Sequence, residues 1–117
     1  KFSATTKFAA NDHRNFNRNG ELFNVGETFA GLEYLKAVEL SDALKSYVPA
    51  SMTMAQMAIR WILDFEAVSV IIPGATKTEQ VVANVSSAAV TPLSEALHQE
   101  LSRFYQTRVA AHIRGPN

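Results

Sequence analysis

The run Val68-Ser69-Val70-Ile71-Ile72 constrains the fold of this chain more than any other segment. Side chains alternate between the two faces of a strand, and here both faces are mostly β-branched and apolar. Pro73-Gly74 closes the run, so it reads as one short buried strand of the parallel type. Such a strand needs neighbours on both edges, because buried backbone N–H and C=O groups without partners are costly. No second convincing strand occurs in the 117 residues. The sequence therefore predicts part of a larger sheet or barrel.

The remainder is mostly helical in pattern. Residues 29–48 place Phe29, Leu32, Leu35, Val38, Leu40, Leu44, Tyr47 and Val48 along an amphipathic helix that Pro49 ends. The clearest helix covers 53–65. Thr53 and Gln56 form a capping box, and Met54, Met57, Ala58, Trp61, Ile62 and Phe65 make one apolar stripe expected in the core. After the strand, Thr76 and Glu79 suggest a second capping box and a helix over about 77–87, with Val81, Val82, Val85 and Ala88 turned inward. A last helix over 94–106 takes Ser94 as its cap and shows Leu97, Leu101, Phe104, Tyr105 and Arg108 on one face. Residues 110–117 read as a tail.

Residues 1–28 carry Asn11, Asp12, Asn15, Asn17, Asn19, Gly20, Asn24 and Gly26, which favour turns over regular structure. Phe2, Phe8, Phe16, Phe23 and Phe29 recur among them at roughly seven-residue intervals. A solvated linker does not carry five phenylalanines, so the segment reads as a long ordered loop pinned by its rings. Rings interleaved with Lys1, Lys7, Arg14 and Arg18 could stack on nucleobases. However, 11 basic residues balance 11 acidic ones, and a neutral surface gives no field for nucleic acid or an anionic membrane. Neither is an expected partner. Apolar residues at 47% and charged ones at 19% indicate a globular chain. No apolar run approaches the roughly 18 residues of a membrane span, and the absence of cysteine fits a reducing, cytoplasmic setting. The start at Lys1, without methionine, suggests an excised piece.

Chemistry enters at Ile71-Ile72-Pro73-Gly74-Ala75-Thr76-Lys77-Thr78-Glu79-Gln80-Val81-Val82-Ala83-Asn84. A buried strand ends, small residues turn, and a capped helix begins within four residues. The free N–H groups and positive dipole end of such a helix favour an anion by roughly 0.3–1 kcal/mol per unit charge. Gly74 and Ala75 allow close approach, Lys77 adds a charge, and Gln80 and Asn84 follow one and two turns on. Together they suit a phosphate-sized anion and a purine edge. The same residues also fit an ordinary βα turn with a solvated lysine.

This segment resembles the aldo-keto reductase signature at the last barrel strand, an Ile-Pro-Gly-Ala followed by Gln and, four residues later, Asn. Ala55-Gln56-Met57-Ala58-Ile59-Arg60-Trp61-Ile62-Leu63 is similar to the family's Ala-Gln-x-Ala-Leu-Arg-Trp helix. Lys1-Phe2 resembles the end of its Leu-x-Gly-Lys turn, and Asp12-His13-Arg14 with Phe16-Asn17 a loop of bacterial members. The resemblance spans the whole chain in order. It implies an α/β fold: the C-terminal fragment of a (β/α)8 TIM barrel, mostly α-helical by itself with one short strand. In that arrangement 1–28 form a loop, 29–65 two helices, 68–72 the last barrel strand, and 76–110 two more helices.

The resemblance also implies NADP(H) bound across the C-terminal face of the barrel. Gly74, Ala75, Thr76 and Lys77 would line the 2′-phosphate, Gln80 that phosphate or the ribose, Asn84 the adenine, and Lys1 the pyrophosphate. Many members place arginine at Gln80 or beside Lys77, whereas Lys77 is the only cation of this turn. The family transfers hydride from the nicotinamide to an aldehyde or ketone, with a tyrosine acid tuned by lysine, aspartate and histidine on earlier strands. None of those four falls within this chain. Tyr34, Tyr47 and Tyr105 sit in helical patterns, and His13, His98 and His112 lack metal-ligand or nucleophile spacing. The expectation is a segment of an NADP-dependent oxidoreductase that supplies cofactor contacts, no catalytic residue and no metal ligand, is inactive alone and self-associates. The alternative is a self-standing helical module that binds a nucleotide or a protein through 74–77.

Overall fold

The structure, a computed structural model, describes residues 2–16 and 31–113. Its regular elements are α1 (His13–Phe16), α2 (Tyr34–Leu44), α3 (Met54–Leu63), α4 (Thr78–Ser86) and α5 (Glu95–Phe104), with 3-10 turns Lys45–Tyr47 after α2 and Ser87–Ala89 after α4. Among the described residues there is no strand. The 68–72 run forms no ladder, which corrects the expected strand. A strand is defined by its ladder, and nothing here supplies a partner. From 69 to 75 no backbone group makes a hydrogen bond, and Val70 and Ile72 are 70% and 90% exposed.

The chain divides into two compact units, Lys1–Leu44 with Arg103–Asn117, and Lys45–Ser102. In the first, Tyr34, Leu40 and Phe104 are buried. Gly31 opens the approach to α2 with φ at 77°, a left-handed conformation that favours glycine. Glu33 then caps the helix, its carboxylate accepting the N–H groups of Leu35 (3.1 Å) and Lys36 (3.0 Å). The start of the chain is pinned by rings: Phe2 lies edge-on to Phe8 at 5.2 Å, and Phe8 to Tyr34 at 5.6 Å. The Tyr34 hydroxyl donates to the Ser3 carbonyl at 2.8 Å, and the Arg14 guanidinium lies over both Phe2 and Phe8. Phe23 and Phe29 lie outside the described residues. Beyond α5 comes a wide π turn, Tyr105–Val109, and then a 3-10 turn, Ala110–His112, at the start of the expected tail.

The second unit contains α3, α4 and most of α5. The Thr53–Gln56 capping box is formed: Thr53 Oγ1 accepts the Gln56 N–H at 3.2 Å, and Gln56 Oε1 accepts the Thr53 N–H at 2.9 Å. Ser94 caps α5 through the Leu97 N–H at 3.2 Å. Met57 and Leu93 are buried, and Ser87 wholly so. The apolar stripe of α3 is only partly covered, with Trp61, Ile62 and Phe65 exposed. Val81, Val82 and Val85 of α4, expected inward, are 50–70% exposed, and Ala88 is exposed too. A helix buries a stripe only where a second layer exists, and among the described residues these faces are covered only in part.

Candidate functional site at the start of α4

The stretch 69–75, without regular structure, delivers the chain to α4 through Thr76 and Lys77. The cap forms one residue later than the Thr76–Glu79 spacing suggests. Lys77 is the N-cap, in extended conformation (φ −139°, ψ 148°), and Gln80 rather than Glu79 turns back to it. Gln80 Oε1 accepts three hydrogen bonds: from the Thr76 N–H at 2.8 Å, the Lys77 N–H at 3.1 Å and the Thr76 hydroxyl at 3.2 Å. Glutamine reaches this point because its carbonyl accepts without a charge and its stem has the length of the capping box.

Three donors therefore converge on one oxygen at the positive end of a nine-residue helix. An amide oxygen now stands where an anionic oxygen could. Gly74, Ala75, Thr76, Lys77 and Gln80 are all exposed, and Asn84, one turn beyond Gln80, is half-buried. A Cβ placed on Gly74 would meet nothing within 4 Å. The turn is thus open to a ligand, and packing does not require glycine there. Lys77 makes no ion pair with any described residue. The donor set fits a phosphate group. Lys1, expected at the pyrophosphate, lies outside the described residues, so the structure brings together only Gly74, Ala75, Thr76, Lys77, Gln80 and Asn84.

A polar cluster built around the end of α3 was not singled out from the sequence. Asp64 Oδ1 accepts the Arg60 Nε–H at 2.8 Å; Oδ2 accepts the Leu93 N–H and contacts His98 Nε2, each at 3.0 Å. Burial pushes the Asp64 carboxyl up. The His98, Leu93 and Arg60 donors outweigh it and hold the group below the ordinary value of 3.8. Arg60 Nη1 also donates to the Ala88 carbonyl at 3.2 Å. The four-residue spacing of Arg60 and Asp64 was the available signal; the reach to residues 88, 93 and 98 was not visible in it. His98 further stacks on Trp61 (6.3 Å, 27°) and stands edge-on to Phe65 (5.7 Å). It is a packed structural group.

His13 is 79% exposed beside Asp12, and His112 is exposed. Tyr34 is consumed by its bond to Ser3, and Tyr105 is exposed. Among the described residues no group of three or more His, Cys, Asp or Glu could hold a metal ion, and no helix is long and apolar enough to cross a membrane.

Comparison with known proteins gives one positive result. The family model described as "Aldo/keto reductase family" matches residues 3–106. No curated protein and no solved structure matches the chain. The matched span includes α3, the open turn and α4, the segments on which the signature residues lie; the chain belongs to the aldo/keto reductase family.

Proposed function

We propose that this chain is the C-terminal part of an NADP-dependent reductase barrel and that its share of the reaction is to hold the adenosine end of the cofactor. In this reading 68–72 becomes the last barrel strand, and neighbouring strands take up the backbone groups that are free between 69 and 75. Lys1 would reach the pyrophosphate. The parent works in the cytoplasm on a small aldehyde or ketone. The cofactor supplies the hydride; the proton donor comes from elsewhere in the parent.

The observation that carries the reading is the convergence of the Thr76 and Lys77 N–H groups, with the Thr76 hydroxyl, on a single oxygen position. A 2′-phosphate oxygen at that position would displace the Gln80 carbonyl and face the helix dipole, with Lys77 free to approach it. Gly74 and Ala75 leave room on the approach, and Asn84 presents an amide to the adenine. A self-standing binding module is the second reading. The bare apolar faces of α3 and α4 weigh against it, since a module complete in itself buries such faces.

The test is cofactor titration of the full-length reductase. Lys77→Ala should weaken NADPH by about 10- to 150-fold, the loss of one charge-assisted contact, and leave NADH nearly unchanged. Asn84→Ala should weaken both alike, because both carry adenine. Equal loss of NADH and NADPH in Lys77→Ala would make the lysine a solvated surface charge. Neutral behaviour of both variants would reduce the turn to a plain connection.

A further inference from the structure

We infer that Arg60 is a positioning residue for the cofactor turn, acting through α4; the inference rests on the reading of that turn given above. No residue of α4 is buried, and 69–75 makes no hydrogen bonds. What fixes the helix lies at its far end. Ser87, in the 3-10 turn Ser87–Ala89 that follows α4, is fully buried and donates to Ala83 O at 3.0 Å. The next carbonyl, Ala88 O, accepts from Arg60 Nη1 at 3.2 Å. Among the described residues this is the one hydrogen bond that another element makes to α4 or the turn ending it.

Arg60 is itself held. Its Nε donates to Asp64 Oδ1 at 2.8 Å, and its side chain is only 13% exposed. Asp64 is tied by its other oxygen to Leu93 and His98. One guanidinium thus joins a fixed carboxylate to the C-terminal end of the helix whose N-terminal end carries Thr76, Lys77 and Gln80. A planar fork with separated donors can span two acceptors in this way; the single head of lysine cannot. Displacing the C-terminal end of α4 would move its N-terminal end, because a helix of this length behaves as a rigid rod. Small misplacements of binding groups cost affinity out of proportion to their size.

The experiment compares Arg60→Lys, Arg60→Met and Lys77→Ala in the full-length reductase, measuring Kd for NADPH and NADH and the Tm of each. Arg60→Lys keeps a cation beside Asp64 but gives up the span to Ala88. It should weaken both cofactors together, by about 5- to 30-fold, with Tm close to that of the parent. Arg60→Met should lower Tm as well, since it leaves Asp64 short of a donor. Wild-type affinity in Arg60→Lys beside a selective Lys77→Ala overturns the positioning role alone. A Tm loss in Arg60→Lys as large as in Arg60→Met makes the residue merely structural and also overturns it. A Lys77→Ala that fails to separate NADPH from NADH overturns the reading of the turn, and the positioning role with it.

Discussion

Gln80 occupies the position that the proposed ligand needs, and its chemistry sets what the turn accepts. Its carbonyl already takes both backbone N–H groups. Glutamate there would be nearly isosteric and would add a full negative charge at the positive end of α4. Helix dipoles favour such a charge by about 0.3–1 kcal/mol, so Gln80→Glu should leave Tm unchanged or slightly raised. The same charge repels a phosphate, so NADPH affinity should fall at least about tenfold. Titration beside a melting curve checks both parts; unaltered NADPH binding would show that nothing anionic enters. The residue types of this site were legible in the sequence, because small residues, a lysine and an amide after an apolar run follow a local pattern. The order of duties was not. Thr76 and Glu79 have the spacing of a capping box, yet Gln80 forms the cap, a choice between neighbouring side chains that only the backbone path decides.

Among the elements, α3 followed its sequence pattern most closely, since its capping box and periodicity are local. Its bounds, Met54–Leu63, fall within the 53–65 expected. The 68–72 run was legible as apolar and β-branched, but pairing is a non-local property, and among the described residues no ladder forms. The same limit hid the Asp64 cluster, whose partners stand 4, 29 and 34 residues away. That cluster makes a pH prediction. Asp64 titrates below its ordinary value, so its contribution is fully present above about pH 4 and is lost as pH falls through the lowered value. Urea unfolding of wild type and Asp64→Asn should therefore differ at pH 7 and converge as pH falls below the ordinary carboxylate value. A gap that stays constant across that range would mean that the carboxylate charge contributes nothing.

At the scale of the whole molecule, the family match extends over residues 3–106, and the roles proposed for residues of this chain are cofactor contacts only. On the proposed reading the proton donor comes from elsewhere in the parent, so the chain by itself should show no NADPH oxidation above the buffer rate with a panel of aldehydes. Turnover by pure 117-residue protein would contradict this. Isolated, the chain also presents unpaired backbone at 69–75 and exposed Val70, Ile72, Val81, Val82 and Val85. Exposed edges flanked by apolar side chains associate, so sedimentation velocity should show mass above 12.8 kDa that rises with concentration. A single species at the monomer mass across a broad concentration range would count against it.

The stack of Trp61 on His98 gives the molecule an optical reporter. Trp61 is the sole tryptophan in the sequence and stands 37% exposed, with Phe65 edge-on at 4.8 Å. Its imidazole neighbour is held in place by Asp64. Indole emission is sensitive to the ring pressed against it and to the solvent that reaches it. Intrinsic fluorescence of the isolated chain therefore reads the polar cluster directly, without a label: any substitution that frees His98 changes the light emitted by a residue that was not itself altered.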